Sequence, residues 1–101
     1  MSEFIRIASV HEIAESAGKL VEVEGQEIAL FKSNGEIYAI HNLCPHAGGP
    51  LSEGSLREGH VMCPWHGWEF NLKTGSCAFN PAIRVPVFET KICGTDVFVA
   101  L

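Results

Sequence analysis

Two short runs combine side chains that can hold a metal: Cys44-Pro45-His46 and Cys63-Pro64-Trp65-His66. Together they read C-x-H, sixteen residues, then C-x-x-H. Two thiolates and two imidazoles suit two kinds of occupant. A tetrahedral zinc ion could take all four. A [2Fe–2S] cluster could take both sulfurs on one iron and both nitrogens on the other. Zinc fingers usually pair Cys with Cys and His with His along the chain. Here each run supplies one of each, which suits two irons gripped between two loops. Pro45 and Pro64 restrict the backbone after each cysteine. Gly48, Gly49 and Gly67 allow turns that a side chain would block. Sixteen residues are enough for the chain to leave, turn and return as a second loop.

The flanking sequence has to position those loops. Phe4, Ile5 and Ile7 suggest a first strand. Ser9 and Glu12 form a capping box, and Val10, Ile13, Ala14 and Ala17 follow helical spacing up to Gly18, so one short helix at most is expected. Leu20 to Glu24 alternates apolar and acidic residues, as a half-buried strand does. Gly25-Gln26 turns the chain, Ile28 to Lys32 forms the next strand, and Asn34-Gly35 is a strong hairpin signal leading into Glu36 to His41. Strand patterning resumes at Arg84 to Glu89 and at Val97 to Val99, with a turn around Gly94-Thr95-Asp96. The expected fold is all-β: a small antiparallel sandwich or barrel with a loop-rich insert at about 42–75.

Composition narrows the function. A chain of 101 residues makes one domain. Its 7 Lys+Arg against 12 Asp+Glu give a net charge of -5, which disfavours nucleic acid or an anionic membrane as partner. No apolar run reaches bilayer length, and the start lacks the pattern of a signal peptide, so a cytoplasmic location is expected. Four cysteines without a secretion signal favour a metal site over disulfides. There is no Gly-rich nucleotide fingerprint and no Ser/His/Asp arrangement for catalysis.

The double motif resembles that of the Rieske iron–sulfur family. Trp68-Glu69-Phe70, Thr74-Gly75 and Asn80-Pro81-Ala82 also fall where Rieske ferredoxins have similar residues, so the resemblance covers nearly the whole chain. It implies a β-sandwich base with an inserted cluster-binding subdomain, in a single domain over 1–101. One [2Fe–2S] cluster would have Cys44 and Cys63 on the inner iron and His46 and His66 on the outer iron, at an exposed tip. It implies no enzyme in its own right but a monomeric, low-potential, one-electron carrier. The electron would come from an NAD(P)H-dependent flavoprotein reductase and pass, by transient docking, to the terminal oxygenase of an aromatic-ring dioxygenase or related hydroxylase. Two other readings stand beside it: the small subunit of an assimilatory nitrite reductase, and a zinc-stabilised interaction module.

The expectation of low potential comes from departures within the family. Cytochrome bc-type members carry an extra cysteine in each loop, joined as a disulfide, and hydroxyl donors to the cluster sulfurs. Here Gly49 and Trp65 take the cysteine places, and Trp68 and Phe70 stand where the serine and tyrosine would be. Cys77 and Cys93 are expected to be buried small hydrophobes, not ligands. His41 and His60 flank the site, with surface or packing roles expected, and His11 is expected in solvent. Trp65 and Trp68 either shield the cluster, form a docking face or simply pack. Pro81 resembles the family's proline loop over the cluster. Glu53, Glu58 and Glu69 supply either an acidic docking surface or a solvated face.

Overall fold

A computed structural model describes residues 3–45, 48–65 and 67–101. The first half holds β1 (Phe4–Ser9), which pairs with the last strand, and then a meander of β2 (Gly18–Val23), β3 (Gln26–Ser33) and β4 (Glu36–His41). Three short strands follow, β5 (Ser55–Arg57), β6 (His60–Met62) and β7 (Glu69–Asn71), then β8 (Val87–Cys93) and β9 (Asp96–Ala100). A six-stranded antiparallel sheet runs β1-β9-β8-β4-β3-β2, and a three-stranded sheet runs β5-β6-β7.

Turn chemistry fixes the registers. Glu24-Gly25, Asn34-Gly35 and Glu58-Gly59 each place two consecutive residues at positive φ, between 48° and 80°. That is the two-residue hairpin turn whose twist matches the strands it joins. It sets Val23 opposite Gln26, Ser33 opposite Glu36 and Arg57 opposite His60.

β3 explains how two layers share one small chain. Ile28, Ala29, Leu30 and Phe31 are all fully buried. Ile28 and Leu30 point into one core, with Ala8, Ile37, Ala39, Val97 and Val99. Ala29 and Phe31 point into the other, with Ile40, Leu51, Val61, Phe70, Leu72, Val85 and three cysteines, Cys44, Cys63 and Cys77. The second core lies between the large sheet and the small one, and the first metal-motif loop leaves the large sheet at the end of β4.

Four sequence expectations change. The capping box at Ser9 forms, but only a 3-10 turn over Val10–Glu12 follows it. Ile13 is already extended, and Gly18 opens β2 instead of closing a helix. Burying Ile13 in the core is worth more than the turns of so short a helix. The insert is not loops alone, because β5, β6 and β7 form a sheet inside it. The strand expected from Arg84 begins at Val87, since Val85 instead donates its N–H to the Gly75 carbonyl. Cys93 is exposed at the β8–β9 turn and not buried. It ends the strand opposite Asp96, beside Gly94. No helix among the described residues is long and apolar enough to cross a membrane.

Candidate metal centre

The two cysteine runs fold into loops with the same hydrogen-bond frame. In the first, the Cys44 N–H donates to the Gly49 carbonyl at 2.9 Å, and the Gly48 N–H donates to the Cys44 carbonyl at 2.7 Å. In the second, the Cys63 N–H donates to the Trp68 carbonyl at 2.7 Å, and the Gly67 N–H donates to the Cys63 carbonyl at 3.0 Å. Gly48 (φ 77°) and Gly67 (φ 75°) turn the chain at the same step in each. Both cysteines are buried, at 2% and 1% exposure, and pack in one core.

Gly49 has a different reason to be glycine. A Cβ there would lie 2.9 Å from the Cys63 Sγ and 3.0 Å from Trp65 Cγ. The first loop therefore packs directly against the sulfur and the indole of the second. Sequence reasoning read Gly49 as a turn residue that, with Trp65, takes the place of a cysteine pair joined across the loops in bc-type members; the contact with Trp65 agrees with that placement, and the contact with the Cys63 sulfur adds to it. His46 and His66, the other two expected ligands, lie outside the described residues.

The remaining candidates separate. Cys77 is buried and bridges to Phe70, and neither it nor Cys93 is in a disulfide. His41 and His60 are half-buried, with Nδ1 3.1 Å from the carbonyl oxygens of Glu27 and Glu58 respectively, which puts the proton on Nδ1 in each. His11 is exposed. Trp68 packs partly buried against the core, whereas Trp65 stays 57% exposed. The Pro81 turn is held by the Asn80 side chain, which accepts from the Ala82 N–H, and by the Cys77 N–H donating to the Ile83 carbonyl. The Ala78 N–H donates to the Glu69 carbonyl, which draws this turn beside the second cysteine loop. Phe79 stands at its outside, 69% exposed. Glu58 sits at the β5–β6 turn, the opposite end of β6 from Cys63, and Glu53 is exposed in a 3-10 turn.

Charge is distributed unevenly. Segments 42–52, 61–68 and 75–83, which build the two loops and the Pro81 turn, contain no Asp, Glu, Lys or Arg. Every charge of that kind lies elsewhere. A cleft of about 600 Å³ opens at the start of β4, lined by Val10, Lys32, Ile37, Tyr38, Thr90 and Ile92, away from the cysteine loops. Beside it the Tyr38 hydroxyl donates to Glu36 at 2.6 Å, and that bond, with burial, pushes the phenol above its ordinary value of 10.0.

The profile of the Rieske [2Fe–2S] domain matches residues 3–89. The chain belongs to the Rieske [2Fe–2S] family. The ferredoxin component of the naphthalene 1,2-dioxygenase system of Pseudomonas aeruginosa is 35% identical over 98% of this chain and 96% of its own length. Human apoptosis-inducing factor 3 is 36% identical over 92% of this chain, which spans only 16% of that longer protein. Among solved structures, the ferredoxin of carbazole 1,9a-dioxygenase from Nocardioides aromaticivorans IC177 superposes with a TM-score of 0.88 at 28% identity, covering 96% of both chains. A Mycobacterium tuberculosis protein assigned as the small subunit of an NADH-dependent nitrite reductase gives 0.91 at 26%, over 100% of this chain and 96% of that one. A chain from a complex of reduced oxygenase and oxidised ferredoxin of carbazole 1,9a-dioxygenase gives 0.87 at 28%, over 96% and 92%.

The all-β fold is that of the Rieske ferredoxins, and the cofactor of the family is one Rieske-type [2Fe–2S] cluster. The described residues fit it. Two buried thiols come from twin loops that meet so closely that a methyl group at Gly49 would collide with one of the sulfurs. The family match displaces the zinc reading.

Proposed function

We propose that this protein is a one-electron carrier of an aromatic-ring oxygenase system. Cys44 and Cys63 would hold one iron of the cluster, and His46 and His66 the other. Segment 42–75 would form the cluster-binding insert of one domain spanning 1–101. When bound, the cluster takes up and gives back a single electron. The polypeptide's task is to bury the two sulfurs, exclude water from them and present the loops to a partner.

The observation that carries this reading is the pair of matching cysteine loops, whose own segments contain no Asp, Glu, Lys or Arg. Trp65 and Phe79 stand exposed at that end. Apolar side chains in such a patch suit brief docking of small area. The terminal oxygenase downstream is inferred from the dioxygenase ferredoxins that the chain resembles along its length; the flavoprotein reductase upstream belongs to the proposal alone, as the donor such a carrier would need. The protein would not be an enzyme by itself, and would work as a cytoplasmic monomer.

A low potential is part of the proposal, and Phe70 supports it. Phe70 is a fully buried hydrocarbon ring where bc-type members place a hydroxyl donor. Without a hydroxyl donor at that position, the more negative reduced cluster would be less stabilised.

One experiment separates the readings. Anaerobically reduced protein is mixed in a stopped-flow instrument with an oxidised aromatic-ring terminal oxygenase, then with a sirohaem nitrite reductase. Rapid reoxidation by the oxygenase alone supports the carrier. The full-length likeness to a nitrite reductase small subunit makes the second partner a real competitor. Co-purification in a fixed complex with such an enzyme would overturn the free carrier.

A further inference from the structure

The second cysteine loop is closed at its base by a backbone ladder, with Met62 paired to Glu69 across β6 and β7. The first loop leaves the large sheet at β4, and among the described residues its two sides form no strand pair, only a single bridge. Its base is closed by one residue. Asn42 accepts the Leu51 N–H on its carbonyl at 2.7 Å, and the Ser52 N–H on its side-chain oxygen at 2.8 Å. Beyond that base, Leu43 bridges Pro50, and Cys44 pairs with Gly49.

Asn42 also faces the other way. Its own N–H donates to the Glu27 carbonyl at 2.9 Å, and its side-chain Nδ2 donates to Glu27 Oε1 at 3.0 Å. It is 1% exposed, one of the few buried polar side chains described, and both ends of its amide are satisfied. An apolar residue could not do this, and an aspartate would turn an acceptor toward a carboxylate.

We infer that Asn42 is a positioning residue for the cluster. Through Glu27 it clamps the first ligand loop to the start of β3, and so holds Cys44 in register with Cys63. The inference rests on the reading of Cys44 as a ligand. The Glu27 side chain matters as the acceptor that orients the Asn42 amide, leaving its oxygen toward Ser52. Its charge is secondary, because a glutamine oxygen can accept the same bond.

The test uses the loaded protein and four variants: N42A, E27A, E27Q and the double variant N42A/E27A. Cluster loss is followed by bleaching of the visible bands in the presence of a ferrous chelator. The electron paramagnetic resonance line of the reduced protein reports ligand geometry. N42A and E27A are expected to lose iron about ten-fold faster than wild type, as outer-sphere partners of metal ligands do, with a broadened resonance. E27Q is expected to match wild type in both. The double variant is expected to lose iron no faster than N42A alone, because the Glu27 side chain acts only through Asn42. If N42A does not fold, E27A decides, since it removes only the side-chain acceptor and leaves the Glu27 backbone bonds in place.

An E27A protein that behaves as wild type overturns the clamp. So does a double variant whose effects multiply, or an E27Q protein as impaired as E27A. A wild-type protein without the mixed histidine–cysteine resonance overturns the ligand reading instead, so the two failures are distinct.

Discussion

Gly48 and Gly49 are adjacent and do different work. Gly48 needs its left-handed φ of 77°, and a Cβ there would meet nothing within 4 Å among the described residues. Gly48→Ala should therefore cost about 1 kcal/mol of stability and keep its iron. Gly49→Ala should keep its fold but lose iron, because the new methyl would sit 2.9 Å from Cys63 Sγ. Iron per protein, set beside a urea midpoint, distinguishes the two. Tyr38 gives a pH prediction. It is the single tyrosine, so its phenolate absorbance is unambiguous. The Glu36 hydrogen bond raises its pKa above 10.0. The unfolded chain gives up this proton first, so the native state loses stability as pH climbs through 10.0 toward the folded value. Titration of the apoprotein should show the raised midpoint, and Glu36→Gln should bring it down. A midpoint at 10.0 in the wild type would contradict the contact.

At the level of strands and loops, legibility followed how local the cause was. Asn34-Gly35 dictated its hairpin because both residues tolerate positive φ, and β4 runs from Glu36 to His41 as its pattern suggested. The Ser9 capping box was legible because four consecutive residues make it. The helix expected after it was not formed, because Ile13 is drawn into a core built by distant strands. β5 and β7 escaped notice for the same reason. Three residues carry too little periodicity, and pairing with β6 brings them into a sheet. Both cysteine ligand candidates were legible from spacing, and the nearness of Gly49 to Trp65 from the family resemblance, but the contact of Gly49 with the Cys63 sulfur and the Asn42 clamp depend on folded geometry. Cys77 belongs to the core, where its bridge to Phe70 backs the second loop. Cys77→Ser should leave the visible spectrum intact and lower stability by about 1–2 kcal/mol, the cost of burying a hydroxyl. Loss of colour in a folded Cys77→Ser protein would show that this thiol serves the cluster.

For the whole molecule, the charge map separates two effects. The chain carries a net charge of -5, yet the loops at the cluster end contribute no charged side chain of the Asp, Glu, Lys or Arg type. Contacts made there should respond weakly to salt, since screening acts on charge pairs. Phe79→Ser should weaken the oxygenase complex by about 2 kcal/mol, roughly 30-fold, if this ring is an anchor of the interface. Glu58→Lys, at the far end of β6, should change affinity little. Titration of oxygenase against each variant at low and moderate salt checks both. The reverse pattern, a strong Glu58 effect and a silent Phe79, would place docking elsewhere.

The most direct test of the central claim is electron paramagnetic resonance of the dithionite-reduced protein, purified without oxygen and assayed alongside for iron and acid-labile sulfide. Two irons and two sulfides per chain are expected, with the anisotropic signal of a cluster ligated by both histidine and cysteine. That signal should disappear in His46→Ala and His66→Ala. A signal of all-cysteine type, or protein holding zinc without sulfide, would contradict the account.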